Sequence, residues 1–130
     1  MELISILAAG AASWVFGAVW YMALSRPWMA AAGLEADDNG RPKGSSPLPF
    51  VLSAIAMLVV AGMMRHIFGM AGIATPAAGL VAGLGIGLFF ISPWIMINNA
   101  YGMRPFQLTL IDGGYATFGC AIIGTVLTLI

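Results

Sequence analysis

Four stretches of this chain are each long and apolar enough to cross a bilayer, and that limits its possible folds more than any other feature. A hydrocarbon core of about 30 Å takes about 20 residues of helix. Residues 3–24 carry no charge. Residues 50–70 carry Arg65 and His66 near their far end. Residues 76–100 contain Pro93, and residues 105–130 are interrupted by Asp112. Backbone groups in hydrocarbon must bond within the protein, which suits helices. Membrane strands would need a period-two alternation that these runs lack. The expected fold is therefore an all-α integral membrane protein, with four transmembrane helices in one antiparallel bundle over residues 1–130. The first run opens on Glu2 without Lys or Arg, and its apolar core is too long for a signal peptide, so it is read as a retained helix.

Composition removes the competing classes. Only 8% of the residues are charged and mean hydropathy is +0.98, against about 25% charged in a soluble domain. A globule this short cannot bury so much apolar surface. Five Lys and Arg balance five Asp and Glu, with no basic block, so nucleic acid is excluded as a partner. Cys120 and His66 are the single cysteine and histidine. An intramolecular disulfide, a zinc site of several thiolates and a multi-histidine metal or haem centre are thereby excluded. No cofactor and no metal is expected.

Orientation follows from Lys and Arg in the short loops. Arg26, Arg41, Lys43 and Arg104 fall on one side of the membrane, while Arg65 and the terminal amine fall on the other. This predicts the loop 25–47 in the cytoplasm and both termini outside it, in a bacterial cytoplasmic membrane. The loop begins as a short interfacial helix. Ser25 would cap it, Pro27 fits its first turn, Gly33 would stop it, and Trp28 and Met29 would anchor it.

At about 100° per residue the helix faces can be assigned. Ala9, Ser13 and Gly17 form a small face on the first helix, and Gly79, Gly83 and Gly87 form one on the third. Gly113, Thr117, Cys120 and Gly124 form the small face of the fourth. Such faces let membrane helices approach closely. The stripe Leu108, Ile111, Tyr115, Phe118, Ile122, Val126 and Leu129 is expected to face lipid. Pro93 should kink the third helix near the carbonyl of Phe89, with Ser92 bonding back to a freed carbonyl. The inner halves carry Trp20, Phe90, Trp94 and Tyr101, so the bundle is expected to be tight outside and splayed inside, the splay filled by rings or open as a vestibule.

Asp112 is the chief anomaly, roughly 10 Å along the axis from the start of its helix at about 1.5 Å per residue. A carboxylate at such depth costs up to about 3 kcal/mol, so it must be protonated, paired or wet. The candidate site is Asp112 with Asn98, Tyr21, Trp20, Trp94, Tyr101 and Arg104. Arg65 is expected to snorkel to the headgroups.

Gly17-Ala18-Val19-Trp20-Tyr21, then Arg26-Pro27-Trp28-Met29 and Gly33-Leu34, form one motif series. Ile97-Asn98-Asn99, Arg104-Pro105-Phe106-Gln107-Leu108 and Ile111-Asp112-Gly113-Gly114-Tyr115 form another. With the four-span layout, these make the chain resemble the small bacterial membrane proteins grouped as domain of unknown function 1761. The resemblance implies a four-helix membrane protein and supplies no reaction. It places Trp20, Tyr21, Trp28, Asn98, Arg104, Asp112 and Tyr115 in recurring motifs.

The residues themselves offer no nucleophile–base pair and no metal cluster, so no catalytic residue is assigned and an enzyme is not expected. The leading expectation is a non-enzymatic accessory or binding module of the membrane. Its partners would be the bilayer and either a second copy or a larger membrane complex. The alternative is a small-solute or proton-coupled transporter or channel, acting as a homodimer through Asp112.

Overall fold

The computed structural model describes residues 2–130. It contains α1 (Glu2–Ala23), α2 (Ser25–Ala32), α3 (Leu48–Ala71), α4 (Pro76–Tyr101) and α5 (Phe106–Leu129). All four long helices have the length and apolar character to cross a membrane. No strand forms among the described residues. The loop after α2 holds only an antiparallel bridge between Ala36 and Pro42.

The helix ends follow from local chemistry. Gly33 (φ 75°) and Gly72 (φ 72°) take the left-handed conformation that closes α2 and α3. Thr75 caps α4 by accepting from the Ala78 amide at 3.2 Å, and Pro76 follows at the first helical position. The expected cap at Ser25 does not form. Leu24 takes the cap position without a side-chain bond, because α2 starts almost directly where α1 stops.

α5 is the hub. It packs against α1 and α4 and lies under α2, whereas α3 packs chiefly on α1. α4 packs on α5 alone and does not pack on α3. The shared core of Ala9, Ala61, Met64, Phe68, Cys120, Ile123 and Leu127 sits between α1, α3 and α5. On the other side, Phe16, Trp20, Leu80 and Phe118 border an apolar groove of about 520 Å³ between α1 and α4.

The small faces meet as close backbone contacts. A methyl on Gly79 would overlap the Gly124 carbonyl, one on Gly83 the Cys120 carbonyl, and one on Gly87 the Ala116 carbonyl. The four-residue glycine spacing thus lays α4 directly on the backbone of α5. Ala9, Ser13 and Gly17 are all buried on α1. Ser13 Oγ lies 3.4 Å from Met57 Sδ of α3.

Two expectations are corrected here. First, α4 does not splay from α5 at Pro93. Residues Ile86–Ile91 form a π-helical segment just before it, and Ser92 Oγ bonds back to the Gly87 carbonyl at 2.7 Å, as expected. The wider turn absorbs the missing proline donor, and Ser92 also reaches the Gly113 carbonyl at 3.1 Å. α4 therefore stays on α5 as far as Asn99, whose Nδ2 donates to Thr109 Oγ1 at 3.1 Å. The expected splay between these helices is absent, and Phe90, Trp94 and Tyr101 are 70%, 67% and 87% exposed on the outer surface.

Second, the α5 stripe expected to face lipid does so only in part. Phe118 and Leu129 are exposed, but Leu108 and Ile111 are buried and Tyr115 is half-buried. A helix with neighbours on several sides has no wide lipid face, and α2 covers the end where these residues lie. Arg65 lies where α1 begins and α5 ends, with its side chain 30% exposed. Its Nη1 donates to the Leu127 carbonyl at 3.0 Å, in the last turn of α5 where carbonyls lack helical partners, and its Nε lies 3.9 Å from Glu2.

Candidate functional site

The site forms where α1, α2 and α5 converge. Asp112 is half-buried, and its Oδ1 accepts a hydrogen bond from the Tyr21 hydroxyl at 2.6 Å. That length is typical of a hydroxyl donating to a carboxylate. Tyr21 is held from two sides. Its ring stands edge-on to Trp28 of α2, with centroids 5.8 Å apart, and edge-on to Tyr115 of α5 at 5.6 Å. The Tyr115 hydroxyl donates to the Ser13 carbonyl of α1 at 3.1 Å. Trp20 Nε1 donates to the Ile111 carbonyl at 2.9 Å, one residue before Asp112.

Two glycines on opposite helices admit these rings. A methyl at Gly17 of α1 would stand 2.7 Å from the Tyr115 phenol, and one at Gly114 of α5 would stand 2.7 Å from the Trp20 ring. Each helix thus offers a gap to the other's aromatic side chain, and the exchange sets the register of α1 on α5. Register in turn brings Tyr21 opposite Asp112.

Among the described residues the ion pairs are Lys43 with Glu35 and Arg65 with Glu2. Neither involves Asp112. Arg104, expected beside it, instead lies against Gly33 at the end of α2; a Cβ there would be 2.6 Å from its Nη1. The turn between α4 and α5 aims it that way. Met103 takes a positive φ of 58°, and the Arg104 amide donates back to the Asn99 carbonyl at 2.9 Å.

Of the sequence candidates, the structure brings Asp112, Tyr21 and Trp20 together. Asn98 is exposed, and its neighbour Asn99 makes the bond to α5 instead. Trp94 and Tyr101 point outward, because the face of α4 that meets α5 is the glycine face. Tyr115 and Trp28 were not among the candidates. Tyr115 lies three residues after Asp112, on the same side of the helix. A tyrosine also has a polar end that seeks a partner when buried. Those two facts, with the recurring motifs that hold Trp28 and Tyr115, were the available signal. Among the described residues no group of three or more His, Cys, Asp or Glu converges to hold a metal.

Comparison with known proteins adds one finding. The family model described as protein of unknown function, DUF1761, matches residues 4–128. No curated protein and no solved structure matches the chain.

Proposed function

The chain belongs to the DUF1761 family of proteins of unknown function, and from that premise we propose that it is a non-enzymatic binding module of the bacterial cytoplasmic membrane. The observation that carries this reading is Asp112: a carboxylate inside a membrane-spanning helix, held by Tyr21 and, among the described residues, in no ion pair. Intramembrane acids are costly, and they mark ligand or ion sites often enough to make a binding role the first hypothesis. One carboxylate held by a tyrosine among aromatic rings offers recognition of a ligand. Binding is preferred to transport because Phe90, Trp94 and Tyr101, the rings of the expected vestibule, point away from the bundle.

Arg26, Arg41, Lys43 and Arg104 lie at the α2 end, which orients that end toward the cytoplasm and both termini away from it. A reporter fused after Ile130 that works only in the cytoplasm is therefore expected to stay silent; activity would reverse the orientation. For binding, the full chain extracted in mild detergent is expected to retain a bound amphiphile by native mass spectrometry. Asp112→Asn should lose it at unchanged far-ultraviolet circular dichroism. Equal retention by both proteins, or none by either, would refute the binding role.

A further inference from the structure

Among the described residues Asp112 has no ion-pair partner. Its only hydrogen-bond donor among the described residues is the uncharged Tyr21 hydroxyl. Arg104 is turned to Gly33, and the ion pairs are formed elsewhere. A carboxylate in hydrocarbon cannot remain ionised without a positive partner close by. Any positive partner must then come from outside the chain.

The surroundings narrow the chemistry of that partner. Calcium and magnesium ions need six or more oxygen ligands, several of them charged or carbonyl oxygens. Here there is one carboxylate, and the groups around it are rings. Tyr21 stands at 76° to Trp28 and at 75° to Tyr115, so neither ring stacks on Tyr21, while Tyr115 stacks on Phe16 at 27°. Aromatic faces attract cations that shed water easily, and substituted ammonium groups are the best-known case. Asp112, Tyr21, Trp28 and Tyr115 are all only half-buried, at the α2 end of the spans.

We propose that Asp112, with the rings of Tyr21, Trp28 and Tyr115, binds a monovalent, weakly hydrated organic cation that partitions from the bilayer. This rests on the binding reading above and names its ligand class. The carboxylate supplies the charge, the rings replace hydration, and Tyr21 keeps the carboxylate aimed between them.

The test uses two ions of nearly equal size and shape but opposite charge. Tetraphenylphosphonium and tetraphenylborate are titrated calorimetrically into the detergent-solubilised full chain, with empty micelles as reference. Saturable binding of tetraphenylphosphonium alone is expected. Asp112→Asn should weaken it by roughly tenfold or more, and Trp28→Leu by roughly threefold. Equal binding of both ions to the wild-type protein would overturn the proposal. So would undiminished tetraphenylphosphonium binding by folded Asp112→Asn. Should Asp112→Asn fail to fold, the comparison of the two ions on the wild-type chain still decides. If neither ion binds while native mass spectrometry finds a neutral amphiphile lost in Asp112→Asn, the cation class is refuted and the binding role stands. If no ligand of any kind is found, both fail.

Discussion

Gly83→Val is expected to lower the stability of the protein by about 1–3 kcal/mol, the usual cost of forcing extra carbon into a packed contact. The physical reason is backbone against backbone. At Gly83 even a single methyl would overlap the Cys120 carbonyl and crowd the Cα of Ala121. Neither atom can swing aside, as the tip of a long side chain could. α4 also packs on α5 alone, so a shift at this seam is not held in check by a third helix. Unfolding in mixed micelles of mild detergent and dodecyl sulfate would measure the loss. The control is Gly62→Ala in α3, where an added methyl meets nothing within 4 Å. It should be neutral or stabilising by up to about 1 kcal/mol, because alanine restricts the unfolded chain. If the two substitutions had similar effects, the seam between α4 and α5 would not be the close contact described.

Tyr21→Phe is expected to cost about 1–3 kcal/mol, the range for leaving a buried acceptor without its donor. The ring and its edge contacts to Trp28 and Tyr115 are kept; only the donor to Asp112 is removed. Asp112→Asn should cost less by itself, since the amide oxygen can still accept from Tyr21. The double variant should be more stable than the sum of the single losses implies, with a coupling of about 1 kcal/mol. Chemical unfolding of the four proteins under one detergent condition supplies the cycle. Strict additivity would mean that Tyr21 and Asp112 do not act on each other, and the site would lose its centre.

Some features could be read from one dimension and others could not. The glycine faces were legible because their spacing is a property of one helix. Gly79, Gly83 and Gly87 align whatever lies opposite, and only a close neighbour makes use of them. Asp112 was legible because a carboxylate in an apolar run is anomalous anywhere. The partners of these features were not legible. The stripe through Leu108, Ile111 and Tyr115 is apolar enough to face lipid, but lipid and a neighbouring helix ask for similar side chains. Trp94 and Tyr101 seemed placed to fill a vestibule. The π-helical turn at Ile86–Ile91 instead carried α4 past Pro93 while its glycine face stayed on α5.

The chain by itself determined four helices long and apolar enough to cross a membrane, the short helix after the first, and a single carboxylate out of place among apolar residues. Length, hydropathy and end signals settle these, because a backbone in hydrocarbon has so few ways to satisfy its own hydrogen bonds. Tertiary structure alone decided that α5 is the hub, that Tyr115 and Trp20 seat against Gly17 and Gly114, and that Tyr21 meets Asp112 while Arg104 turns to Gly33. Those outcomes depend on how each helix is rotated and registered against the next. The rotation is set by backbone contacts across a gap of a few ångströms, between residues as far apart in the chain as Ser13 and Tyr115.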